Sequence, residues 1–92
     1  MQSVGECVLY TLWLFHLHAD RWDVLKDEIH HIMRNDFPDV FVSRFSTSCC
    51  FAQFVKLGLL SINDAGDMVS LTPAGRVRAH RLYADIKRLK HR

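Results

Sequence analysis

Long apolar runs are missing from this 92-residue chain. No stretch reaches the roughly 18 consecutive apolar residues of a membrane-spanning helix, so no membrane partner is expected. Val8-Leu9-Tyr10-Thr11-Leu12-Trp13-Leu14-Phe15 is the nearest approach. Glu6 is the only charge before it, and no small-residue cleavage site follows, so a secretory leader is not expected. Cysteine is scarce as well: Cys7, Cys49 and Cys50 are odd in number, and no Cys-x-x-Cys pair exists. Adjacent cysteines rarely bridge, so reduced thiols and a cytoplasmic setting are expected, without a structural zinc site. Glycine and proline number four and two, and the chain has no linker, repeat or low-complexity segment, which leaves one domain spanning residues 1–92.

The signatures of catalysis are absent too. There is no glycine-rich phosphate loop and no Gly-x-Ser-x-Gly elbow, so an enzyme is not expected and no cofactor is called for. Four of the six histidines fall in close pairs, His16 with His18 and His30 with His31. Neither spacing is the i, i+4 step that sets two ligands on one helical face, so no metal site is expected, and His30 and His31 read as surface residues.

What the chain does hold is apolar content: 49% of its residues, enough for one small core. It also holds an uneven charge. From Arg76 to Arg92 seven Lys or Arg oppose the single Asp85, a balance of +6, while residues 1–75 carry five bases and nine acids, a balance of −4. Such a basic end on an acidic body matches an acidic partner at that end, or a solvated helix face whose cations suit the C-terminal dipole.

Helical spacing runs through most of the chain. The first helix is expected from about Glu6 to His18, apolar nearly all round, as in a buried central helix or a subunit seam; a homodimer is expected on the second account. Asp20, with Asp23 three residues on, reads as the cap of a second helix that buries Trp22, Leu25, Ile29, Ile32 and Met33. Residues 38–45 fit either a short helix or an irregular connection, with Phe37, Phe41 and Phe45 as core or as a contact patch. Ser46-Thr47-Ser48 then reads as a cap. Behind it Cys50, Phe51, Phe54, Val55 and Leu57 form an apolar stripe, and Cys49, Ala52, Gln53 and Lys56 face the other way. Cys49 and Cys50 near that cap are either a reactive thiol pair or, in the case of Cys50, core.

Gly58 follows as a helix-closing residue, and Leu59, Leu60 and Ile62 suit a strand. Asn63-Asp64-Ala65-Gly66-Asp67 is turn chemistry. Met68 to Leu71 returns as a second strand, and Thr72-Pro73 opens a helix toward Leu89 that buries Ala79, Leu82, Tyr83, Ile86 and Leu89. Its other face carries Arg78, Arg81, Asp85, Arg88 and Arg92.

From Ser46 to Leu82 this order resembles the second half of a winged helix-turn-helix domain of the MarR and PadR general type. The carrying residues are Phe51-x-x-Phe54-x-x-x-Gly58-Leu59-Leu60 and Leu71-Thr72-Pro73-Ala74-Gly75-Arg76. The resemblance implies a mainly α fold with three or four helices, a two-stranded wing and a C-terminal helix. It also implies residues 46–57 as a recognition helix and a small DNA-binding regulator as the function. Ser46, Ser48 and Gln53 are then the candidate base readers. Arg44, Lys56, Arg76, Arg78, Arg81 and Arg88 are the candidate phosphate contacts to double-stranded DNA. The alternative is a winged helix that binds an acidic protein surface as an adaptor or inhibitor, since Asp64 and Asp67 at the wing tip would meet phosphate with like charge.

Overall fold

In the computed structural model, residues 3–41 and 43–90 are described. They form α1 (Val4–Ala19), β1 (Asp23–Leu25), α2 (Lys26–Asp36), α3 (Arg44–Lys56), β2 (Leu60–Ile62), β3 (Met68–Leu71) and α4 (Pro73–Lys90). The chain is mainly helical, with a three-stranded antiparallel sheet of order β1-β3-β2.

α1 begins earlier than Glu6 because Ser3 caps it. The Glu6 N–H donates to Ser3 Oγ (3.2 Å) and the Ser3 N–H donates to Glu6 Oε1 (3.1 Å), satisfying two otherwise unpaired donors. Cys7, Val8, Leu9, Thr11 and Leu12 are buried, and the helix packs against α2, α3, α4 and β3. Its nearly all-round apolar surface is therefore largely used within one chain.

The segment after α1 departs from the helical expectation. Asp20 closes α1 instead of opening α2: it adopts a left-handed φ of 52°, and its N–H donates to the His16 carbonyl (3.1 Å). Asp is among the few residues that tolerate this conformation. Residues 23–25 then extend and pair with β3, with Asp23 opposite Ser70, Val24 opposite Val69 and Leu25 opposite Met68. The two-residue period of a strand buries Val24 and turns Leu25 outward, so Leu25 is 40% exposed and not part of a helical stripe. The sheet accordingly has three strands where two were expected. α2 starts at Lys26, and the Leu25 N–H is satisfied by Glu28 Oε1 (3.2 Å). Arg21 grips the same Glu28 carboxylate through two bonds of 2.7 and 2.9 Å, and that bonding holds the carboxyl below its ordinary value.

Residues 38–45 form no separate helix among the described residues. Pro38–Val40 is a single turn in which the Val40 and Phe41 N–H groups both donate to the Phe37 carbonyl (3.0 and 2.9 Å). Phe37 and Phe41 pack partly buried against the core, whereas Phe45 is 78% exposed. α3 is capped three residues earlier than expected, since Ser43 Oγ accepts the Ser46 N–H (3.1 Å). Thr47 and Phe51 make its buried face, with Cys50 and Phe54 half-buried. Val55 and Leu57, placed in the apolar stripe by sequence, are 41% and 63% exposed.

The hairpin region follows its sequence pattern closely. Gly58 takes a positive φ of 76° at the end of α3, where a Cβ would be strained. β2 and β3 pair from Leu60 opposite Leu71 to Ile62 opposite Val69. Asn63 ties the turn: its Oδ1 accepts the Asp67 and Met68 N–H groups (3.1 and 3.0 Å) and its Nδ2 donates to Asp67 Oδ1 (2.8 Å). Thr72 caps α4 by accepting the Gly75 N–H (3.0 Å), and it donates back to the Gly58 carbonyl. On α4, Ala79 is buried and Leu82, Tyr83 and Ile86 are half-buried, but Leu89 lies beyond the core at 67% exposure.

Candidate nucleic-acid interface

α3 holds no acidic residue in its sequence Arg44–Lys56. Its outward surface presents Phe45, Ser48, Cys49, Ala52, Gln53 and Lys56, all exposed, and the four residues expected to face away are among them. The two long edges of this helix lead to different places.

One edge faces α1 and α4 across a groove of about 520 Å³. Ser46, Cys49 and Gln53 line it from α3, and Arg78 and Leu82 from α4. The structure thus brings three of the expected site residues, Ser46, Gln53 and Arg78, to one depression. Arg81 and Arg88 continue along the exposed side of α4. Arg88 stands 3.9 Å from Asp85 one turn back, both well exposed, which leaves its charge largely available. Arg92, expected on the same face, lies outside the described residues.

The other edge faces α2 and the hairpin turn. Arg44 and Ser48 point there, and they share a pocket with Lys26, Asp27, His30 and Asp67. Arg44 is ion-paired with Asp27, so it does not join the α4 arginines. Arg76 is also drawn away: its guanidinium lies 3.9 Å over the Trp22 ring. Trp22 in turn stacks on His16 at 3.8 Å between ring centroids. Lys56 is exposed at the far end of α3.

His30 is the residue that sequence reasoning misplaced most. It is 4% exposed, packs beside the Phe51 ring at 5.7 Å, and has a buried Nδ1 without a hydrogen-bond partner. Burial lowers its pKa from the ordinary value, and the positive charges of Arg44, Lys26 and Arg34 act the same way against Asp27. His31 is exposed, as expected. With α2 starting at Lys26, residues 29, 30 and 33 turn inward together. No local sequence signal marks that start, since Leu25 is not a capping residue and the pairing of residues 23–25 with β3 sets it.

Cys7 and Cys50 fit packing better than reactivity. Burial pushes the Cys50 thiol up to about 11, and burial followed by the charge of Glu6 pushes Cys7 up to about 11; such thiols resist ionisation. Among the described residues no group of three potential metal ligands comes together, and no helix is long and apolar enough to cross a membrane. Comparison with known protein families, curated proteins and solved structures returns no match.

Proposed function

We propose that this chain is a winged-helix DNA-binding regulator, in which α3 enters the major groove, the β2–β3 hairpin is the wing and the basic side of α4 follows a phosphate backbone. What supports this is the meeting of α3 and α4: an acid-free helix face joins Arg78 across one groove, and Arg81 and Arg88 extend the positive edge. Ser48 and Gln53 are hydrogen-bonding side chains of the kind that reads base edges, and exposed Ala52 suits a thymine methyl group. Guanidinium groups along α4 supply the sequence-independent affinity. Binding of a generic duplex at low salt tests the proposal. Replacing Arg78, Arg81 and Arg88 together by Glu is expected to weaken binding strongly. No binding by the wild-type chain even at low salt would remove the proposal.

A second use of the same face is favoured by two observations. Phe45, Val55 and Leu57 leave apolar surface exposed on and beside α3, and Asp64 and Asp67 are exposed at the hairpin tip. An acidic protein with an apolar anchor would use Phe45 at its centre and the α4 arginines at its rim. Phe45→Ser separates the two: it leaves salt-dependent duplex binding in place but removes the anchor.

Self-association is proposed through what α1 leaves uncovered. Leu17 is 43% exposed, beside an apolar groove that includes Leu14, Phe15 and Ile32. Leu17→Asp is expected to convert a sedimenting dimer to monomer; a wild-type monomer at high concentration would refute the dimer.

A further inference from the structure

α2 and α3 both begin at one pocket. Lys26 and Asp27 are the first residues of α2 and Arg44 is the first of α3, and all three line a cavity of about 370 Å³ against the hairpin turn. Helix starts carry partial positive charge, which favours an anion there. Ser48, one turn into α3, adds a hydroxyl to the same wall.

His30 is the independent observation at this pocket. It lines this pocket, is 4% exposed, and keeps a buried Nδ1 with no hydrogen-bond partner. Buried ring nitrogens normally have partners. The charged groups around it are Lys26, Asp27 and Arg34 on α2 and Arg44 on α3, with Asp67 on the hairpin side of the pocket.

The two acids do not close the site to an anion. The Asp67 carboxylate is held by the Asn63 amide (2.8 Å), and its main-chain oxygen accepts the Lys26 N–H (2.9 Å). Asp27 is the present partner of Arg44, but the side chains are 80% and 54% exposed, and so open an ion pair contributes little. The Asp27 carboxylate occupies the position that an incoming oxyanion would take on the guanidinium.

We propose that this pocket binds a phosphate group, with Arg44 released from Asp27 to grip it, Lys26 adding charge, the Ser48 hydroxyl donating a hydrogen bond, and His30 taking up a proton as the anion arrives. The phosphate comes either from a free phosphate or phosphomonoester, or from the backbone of a nucleic acid. The site does not depend on α3 reading DNA.

Titrating the full chain with inorganic phosphate, followed by NMR, tests it. Saturable shifts are expected at Lys26, His30, Arg44 and Ser48, with an upward move of the His30 titration. Arg44→Gln should weaken binding at least tenfold and Ser48→Ala severalfold, both at exposed positions that leave the fold intact, while Lys87→Gln on α4 leaves binding unchanged. A parallel titration with a short duplex separates the sources. Free phosphate saturating the pocket assigns a small ligand; saturation by duplex alone, sensitive to Arg44→Gln, assigns a backbone phosphate. Linear shifts with both probes, shifts confined to α4, or insensitivity to Arg44→Gln would each overturn the site. Duplex binding that persists through Arg78, Arg81 and Arg88 would then leave the DNA proposal standing on its own.

Discussion

The two edges of α3 both carry guanidinium groups, but these are held differently. Toward α4, Arg78 and Arg81 stand exposed with no carboxylate drawn onto them among the described ion pairs. Toward α2, Arg44 already has Asp27, and the cavity behind it holds a buried imidazole. An open row of guanidinium groups suits a long polyanion whose contacts need no fixed geometry. A walled pocket with a single exchangeable carboxylate suits one compact anion. Arginines on two sides of a helix thus need not be used alike.

Phe51→Ala should have the largest effect, because that ring lies 1% exposed under both edges. Removing it is expected to cost about 3–5 kcal/mol, read as a fall in the urea midpoint, and to erase the difference by unfolding both sides. Next, the triple Arg78, Arg81 and Arg88 reversal should flatten the salt dependence of duplex binding by about 0.9 per lost phosphate contact. The shared fold should keep its melting temperature within a few degrees. If the melting temperature collapses instead, the open edge is structural.

His30 sharpens the comparison through pH. Its folded pKa is held below the ordinary 6.5 by burial first and by neighbouring cations second. Above 6.5 folded and unfolded chains both carry it neutral, and its contribution is fully present. As pH falls below 6.5 the unfolded chain binds a proton that the folded chain resists, so stability drops until the folded pKa is passed. His30→Phe should remove that slope from urea midpoints measured between pH 7.5 and 5. A wild-type profile without the slope would show that the ring protonates freely in place.

The smallest effect is expected from Asp27→Asn. Freeing Arg44 should raise duplex affinity only a few-fold at low salt and leave stability almost unchanged, because the pair is exposed. A larger gain would mean that the walled edge already takes part in binding a long polyanion.

Which parts were legible in sequence follows from how local their causes are. The hairpin is written in neighbours: Gly58 closes α3, Asn63 ties the turn, and Thr72 with Pro73 opens α4. α4 and the outward set of Cys49, Ala52, Gln53 and Lys56 depend only on spacing along one helix. β1 has no such local cause. Asp23-Val24-Leu25 suits a helix as well as a strand, and what decides is β3, far along the chain. The inward turn of His30 follows from that decision, since a strand at 23–25 delays the start of α2. The Arg44–Asp27 pair joins residues 17 apart on different helices, and the Arg76–Trp22 contact crosses most of the chain. Charge counting therefore overstated the cations available on α3 and α4.

The third strand has a consequence for how the molecule holds together. β3 is the middle strand; one neighbour, β2, adjoins it in sequence and the other, β1, comes from the first third of the chain, so neither half owns a complete sheet. A chain severed in the turn at Pro38–Val40 would yield one piece carrying a lone strand and another carrying an isolated hairpin, which is marginal by itself in water. Mixing the pieces should restore order that neither has separately.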